Sequence, residues 1–153
     1  MALNRRDILS GLETILGTVT GITTVVRSYG GGANVVRGGE EGIDISQYAE
    51  AQLPLIDLIE PEELNDEEMT SRRSIQFLDT VLRVYFVDWN DNVQGTYETL
   101  VKNIRDKVGA EFRVNGTATA CWIVDISKVL GEVPLWNIEF NLRVKYYLDQ
   151  QVT

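Results

Sequence analysis

Leu135-Trp136-Asn137-Ile138-Glu139-Phe140-Asn141-Leu142-Arg143-Val144-Lys145-Tyr146-Tyr147-Leu148 decides the fold class of this chain. Trp136, Ile138, Phe140, Leu142, Val144, Tyr146 and Leu148 hold every second position, with Asn137, Glu139, Asn141, Arg143, Lys145 and Tyr147 between them. Successive side chains of a strand point to opposite faces. The alternation therefore predicts one long strand with an apolar row on a core and a polar, mixed-charge row toward solvent or a partner.

Working outward, residues 118–126 alternate in the same way, which places Ala120, Trp122, Val124 and Ile126 on an apolar side. Gly131 and Pro134 carry the turn into the final strand, and Asn115-Gly116 is a favoured turn pair. Residues 74–89 give another long strand, with Leu78, Leu82, Val84 and Phe86 on one face and Asp79, Arg83 and Tyr85 on the other. Asn90, Asp91 and Asn92 form the turn after it. Tyr97, Leu100, Val101, Ile104 and Val108 then recur at helical spacing, with Glu98 four residues before Lys102 and Gly109 placed to cap the end.

At the N-terminus Asn4 is positioned as a helix cap with Asp7 three residues on, and Ile8, Leu9, Leu12, Ile15, Leu16 and Val19 share a helical face ending near Gly17. Residues 22–29 read as a strand because β-branched side chains crowd there. Asp44 is placed to cap a short helix through Ser46, Tyr48 and Ala51 that stops before Pro54, and residues 55–59 return as a strand. The predicted class is α+β: a mainly antiparallel sheet with two amphipathic helices packed on one face, plus a long glycine-rich loop at 30–42.

A chain of 153 residues suits one domain spanning 1–153, able to bury roughly 70% of its unfolded surface. Net charge is −9, from 14 basic and 23 acidic residues, which disfavours general binding to nucleic acid. The sequence has no histidine, so Ser-His-Asp, Cys-His and histidine–metal chemistry are excluded. Cys121 is the single cysteine; it has no histidine to activate it, sits inside a predicted strand, and reads as structural. Asn115-Gly116-Thr117 matches a glycosylation sequon, but the turn explains it. Arg5 and Arg6 precede an apolar stretch that Asp7 and Glu13 interrupt, so neither a cleaved leader nor a membrane span is expected.

The candidate interaction regions are three. Six glycines between residues 30 and 42, among them Gly30, Gly31 and Gly32, fall with Arg37, Glu40 and Glu41 in a stretch that favours a mobile loop. It lacks the spacing of a phosphate-binding loop, so no nucleotide cofactor is expected. Six acids follow within residues 60–68, including Glu62, Glu63, Asp66, Glu67 and Glu68. They lack the ligand spacing of a calcium loop and read as a solvated contact surface, although a metal-dependent hydrolase using them is the alternative from another class. Trp89, with Asn90, Asp91 and Asn92, marks the third region, whereas Trp122 and Trp136 are expected in the core. No catalytic, cofactor or metal site is expected, and the chain does not read as an enzyme.

The residues Arg5-Arg6-Asp7-Ile8-Leu9, Leu53-Pro54-Leu55-Ile56-Asp57-Leu58, Thr80-Val81-Leu82-Arg83-Val84-Tyr85-Phe86-Val87, the helix at 97–108, and Trp136-Asn137-Ile138 leading to Tyr146-Tyr147-Leu148 give an element order that resembles the tail terminator, or tail completion, proteins of tailed bacteriophages. The resemblance covers most of the chain. It implies a virion protein, made in the host cytoplasm, that forms a homo-hexameric ring at the head-proximal end of the tail tube. Such a ring ends tube polymerisation and joins the tube to the head-side connector or stopper protein at the neck. In contractile tails it also meets the sheath, and DNA passes through it without specific binding. The readings beside this one are another head-to-tail connector ring and a non-viral α+β binding module.

Overall fold

The computed structural model describes residues 5–29, 43–60, 73–88, 93–129 and 134–149. Two helices, α1 (Arg5–Leu16) and α2 (Val93–Ala110), and five strands, β1 (Thr24–Tyr29), β2 (Leu55–Glu60), β3 (Arg73–Val87), β4 (Ala120–Val129) and β5 (Leu135–Asp149), follow one another as α1, β1, β2, β3, α2, β4, β5. The strands form one sheet in the order β1-β2-β3-β5-β4. β1 runs parallel to β2, and the other three pairings are antiparallel. This is the expected α+β class; the glycine-rich loop expected at 30–42 lies outside the described residues.

The central pair is β3 and β5, each of 15 residues, in register from Arg73 opposite Asp149 to Val87 opposite Leu135. Ile138, Phe140, Leu142, Val144 and Tyr146 are buried, as the alternation predicts, alongside Leu78, Leu82, Val84 and Phe86 of β3 and Ile56 and Leu58 of β2. These rows meet Ile8, Leu9, Leu12, Ile15 and Leu16 of α1 and Leu100, Val101, Ile104 and Val108 of α2 in a single core. Burying one such side chain contributes about 1.5–3 kcal/mol, more than the ~1 kcal/mol span of strand propensities. Packing therefore sets the register, since a one-residue slip would turn the whole buried row outward.

β4 departs from the expected alternation. Trp122 and Val124 are 40% and 54% exposed, whereas Cys121 is buried and Ile123 and Ile126 pack against the core. Pairing with β5 runs from Cys121 opposite Val144 to Ile123 opposite Leu142 and resumes at Asp125 opposite Asn141, which leaves Val124 as the extra residue of a β-bulge. A bulge shifts the side-chain phase by one residue. Ile126 thus joins the core on the far side of it, while Trp122 and Val124 stay outside, and the core position expected for Trp122 is overturned. Trp136 does pack against the core, and its indole Nε1 donates to the Asp88 carbonyl oxygen at 3.3 Å.

Two helix boundaries also differ from expectation. Asp44 caps as expected, its Oδ1 accepting from the Ser46 backbone N at 3.1 Å, but the helix is two single 3-10 turns, Ile45–Gln47 and Glu50–Gln52. α2 runs past Gly109 to Ala110, and the Glu111 N–H still donates to the Lys107 carbonyl at 2.9 Å. The chain reverses only at Val114, Asn115 and Gly116, whose φ angles are 50, 56 and 80°. Asn115 and Gly116 tolerate that left-handed backbone, whereas a β-branched valine is strained in it. Full burial of Val114 in the core, and two hydrogen bonds from Thr117 to its carbonyl at 2.6 and 3.1 Å, hold it there.

That reversal packs on α1 at Gly11. A Cβ added at Gly11 would stand 2.7 Å from the Val114 carbonyl oxygen and 3.1 Å from the Thr117 hydroxyl. Gly-to-Ala in a helix interior ordinarily gains up to about 1 kcal/mol, while overpacking against fixed backbone costs about 1–3 kcal/mol. Gly11→Ala is therefore expected to lower the melting temperature, measured by circular dichroism; an increase would contradict this close approach.

Candidate interaction surface

Strand residues that point away from the helices form an outer sheet face. β2 is buried on both sides, so its sequence Leu55-Ile56-Asp57-Leu58-Ile59 reads as an apolar run interrupted by one acid. A fully buried carboxylate must find hydrogen bonds. Asp57 Oδ1 accepts from the Ser28 hydroxyl at 2.6 Å and Oδ2 from the Ile43 backbone N–H at 2.9 Å. Burial raises its pKa above the ordinary carboxylate value, and the bonds from Ser28 and Ile43 and the charge of Arg83 only partly offset that. Ser28 lies two residues before the 30–42 segment and Ile43 directly after it, so a single carboxylate joins both stems of the glycine-rich stretch.

The same row continues across the sheet. Asp57, Arg83 and Glu139 are successive cross-strand partners on β2, β3 and β5. Arg83 Nη2 and Nε donate to Glu139 Oε1 at 2.9 and 3.3 Å, and Nη1 reaches the Tyr85 hydroxyl at 3.5 Å. Burial opposes the charge of Arg83, but its bonds to Tyr85 and Glu139 hold its pKa above the ordinary value. Tyr85 lies on the expected polar face yet is buried, opposite Leu55, and burial raises the pKa of its phenol.

Toward β4 the face opens. Asp79 and Arg143 are cross-strand partners joined at 2.7 and 3.2 Å, and the Arg143 guanidinium stands 5.5 Å from the centre of the Phe77 ring. Trp122 pairs with Arg143 from the other side, and Asn141 hydrogen-bonds Asp125 one row further. Phe77 is 46% exposed. An exposed ion pair contributes little to stability, but aromatic side chains around an arginine are the composition enriched at protein interfaces. The sequence reading assigned Trp122 and Val124 to an apolar core row and Arg143 to the polar row of the last strand, and named none of them, nor Phe77, as part of an interaction surface. Phe77 alone carried a signal, as an aromatic in phase with the polar row of β3.

Gly30, Gly31, Gly32, Arg37, Glu40 and Glu41, then Glu62, Glu63, Asp66, Glu67 and Glu68, and finally Trp89, Asn90, Asp91 and Asn92 all lie outside the described residues. Their flanking strands are placed. Tyr29 opposite Glu60, with Arg73 opposite Asp149 on the neighbouring strand pair, sets the stems of the glycine-rich and acidic segments at one end of the sheet. Val87 opposite Leu135 sets the stem of 89–92 at the other end. There Asp88 donates its backbone N–H to the Pro134 carbonyl at 2.9 Å and accepts from the Thr96 hydroxyl at 2.9 Å, which fixes the entry to α2.

Cys121 faces the core, and burial pushes its thiol up to about 12, in keeping with a structural role. Among the described residues no three acidic or thiol side chains converge, and no helix is long and apolar enough to cross a membrane. Comparison with known proteins finds no matching family model and no matching curated protein.

Proposed function

We propose that the chain is a structural virion protein forming a hexameric ring at the head-proximal end of a phage tail tube, where it ends tube polymerisation and joins the tube to the head-side connector. The element order that carries the resemblance supports this reading. The observation that carries it furthest is the separation of the candidate segments: stems of the glycine-rich and acidic stretches at one end of the sheet, and the stem of 89–92 at the other. A joint between two different partners needs two unlike ends. The aromatic and arginine-bearing outer face supplies a lateral surface for neighbouring copies.

A terminator acts on tube growth, so elongation is the readout. Added to the cognate tube protein during assembly, the chain is expected to stop elongation and shift the tube-length distribution downward in a dose-dependent way. Unchanged tube lengths together with binding to DNA-filled heads would replace this reading with a connector ring.

A further inference from the structure

The second half of α2 and the outer edge of β4 enclose a groove of about 480 Å³. Arg105, Val108 and Gly109 line its helix side and residues 121–126 its strand side, so the groove reaches round the β4 edge from buried Cys121 to the exposed Trp122 and Val124. β4 is the last strand of the sheet, so among the described residues its outer backbone edge has no partner strand. The bulge at Val124 disfavours addition of a long regular strand there. Recognition in the groove then falls to side chains: exposed Trp122 and Val124, and Arg105, which is exposed and has no ion-pair partner among the described residues. Asp125, also on the strand side, is hydrogen-bonded to Asn141.

The surroundings are locally basic. Residues 102–113 carry Lys102, Arg105, Lys107 and Arg113 against Asp106 and Glu111, in a chain of net charge −9. Lys102 is tied to Asp106 at 2.7 Å, which leaves Arg105 as the cation at the groove. The complementary stretch is in the same sequence. Glu60-Pro61-Glu62-Glu63-Leu64-Asn65-Asp66-Glu67-Glu68 carries six acids, no base and one leucine.

We propose that the groove between α2 and β4 receives the acidic segment 60–68 of a second copy of this chain, with carboxylates at Arg105 and Leu64 against Trp122 and Val124. The proposal rests on the ring reading and names its subunit contact. The acidic segment joins β2 to β3, whereas the groove lies at the β4 edge, with β3 and β5 between them. Copies set side by side bring one chain's acidic segment to the next chain's groove. The contact joins two different surfaces, the heterologous kind that closes into a ring when the rotation closes.

Cross-linking between two variants tests it. A Cβ at Gly109 meets nothing within 4 Å, so Gly109→Cys reports from the groove and Asn65→Cys from the acidic segment. The native Cys121 is buried and does not compete for a maleimide. The two variant chains, mixed with a short bis-maleimide both free and with tail tubes, are expected to yield an adduct containing one of each. Arg105→Glu in the Gly109→Cys chain is expected to lower the yield about fivefold, the upper range for one exposed ion pair, and Glu63→Lys with Asp66→Lys in the partner chain to restore it. No mixed adduct in either condition, an adduct indifferent to Arg105→Glu, or linkage found only within a chain carrying both cysteines would overturn the contact. Tubes capped without the adduct would overturn the contact and leave the ring reading standing. The adduct on a protein that ignores tubes would keep the contact and remove the tail reading.

Discussion

Phe140→Ala is expected to lower the unfolding free energy by about 3–5 kcal/mol, the range for deleting a buried aromatic ring together with the cavity it leaves. Phe140 is fully buried, pairs with Leu82 on one side and Ile126 on the other, and belongs to the core formed with both helices. In a domain of this size each kcal/mol moves the melting temperature by about 2–4 °C, so a loss of about 10 °C is expected. Phe77→Ala supplies the contrast, because that ring lies on the outer face and touches Arg143; its cost should stay below about 1 kcal/mol. Equal losses for the two variants, measured by urea unfolding, would contradict the assignment of inner and outer rows.

The second large effect is expected at Asp57. Alanine there leaves the half-buried Ser28 hydroxyl and Ile43 N–H without their acceptor, at up to about 1–3 kcal/mol for each unsatisfied group. Asparagine is expected to stay within about 1 kcal/mol of wild type, because its amide oxygen can accept from Ile43 while its amide nitrogen donates to the Ser28 oxygen. Protonated Asp57 has the same pattern, with the Ser28 hydroxyl reversed. A carboxyl whose pKa is raised by folding binds its proton more tightly in the folded state. The stability it contributes therefore increases as pH falls from neutral through the raised pKa, and levels off below the unfolded value. Arg83 and Tyr85 face the same site, and their raised pKa values keep both charge states fixed over that window; Glu139, bound to Arg83, is common to wild type and variant. Wild type should thus gain stability relative to Asp57→Asn on mild acidification, read from paired urea titrations across pH. A relative loss, or an alanine variant as stable as the asparagine one, would contradict this account of the carboxylate.

The contrast between β5 and β4 shows what the sequence could carry. β5 keeps an unbroken period of two over 15 residues, so local spacing alone assigns its buried row. In β4 both phases are apolar up to the bulge, with Ala120, Trp122 and Val124 competing with Cys121 and Ile123, and Ile126 joins the buried set only beyond it. The choice is made by pairing to Leu142 and Val144 and by a bulge that leaves no mark in composition. Asp57 illustrates the same limit. Its acid is visible in an apolar run, but the groups that satisfy it lie 29 and 14 residues away in sequence. The helical stripes of α1 and α2 were legible because each is a local repeat, whereas the true end of α2 depends on Val114 being drawn into the core. The regions chosen for their glycines and acids fall outside the described residues. Of the exposed aromatics of the outer face, Trp122 was placed in the core and Phe77 was passed over, because exposure of a large apolar residue is set by tertiary packing and not by its neighbours in sequence.

Electron microscopy of tail tubes assembled from the cognate tube protein and incubated with this chain tests the central claim most directly. Ring-shaped, sixfold density at one end of each tube, absent from tubes alone, is the expected result. Tube ends without added density, at protein concentrations that saturate any binding to the tubes, would contradict it.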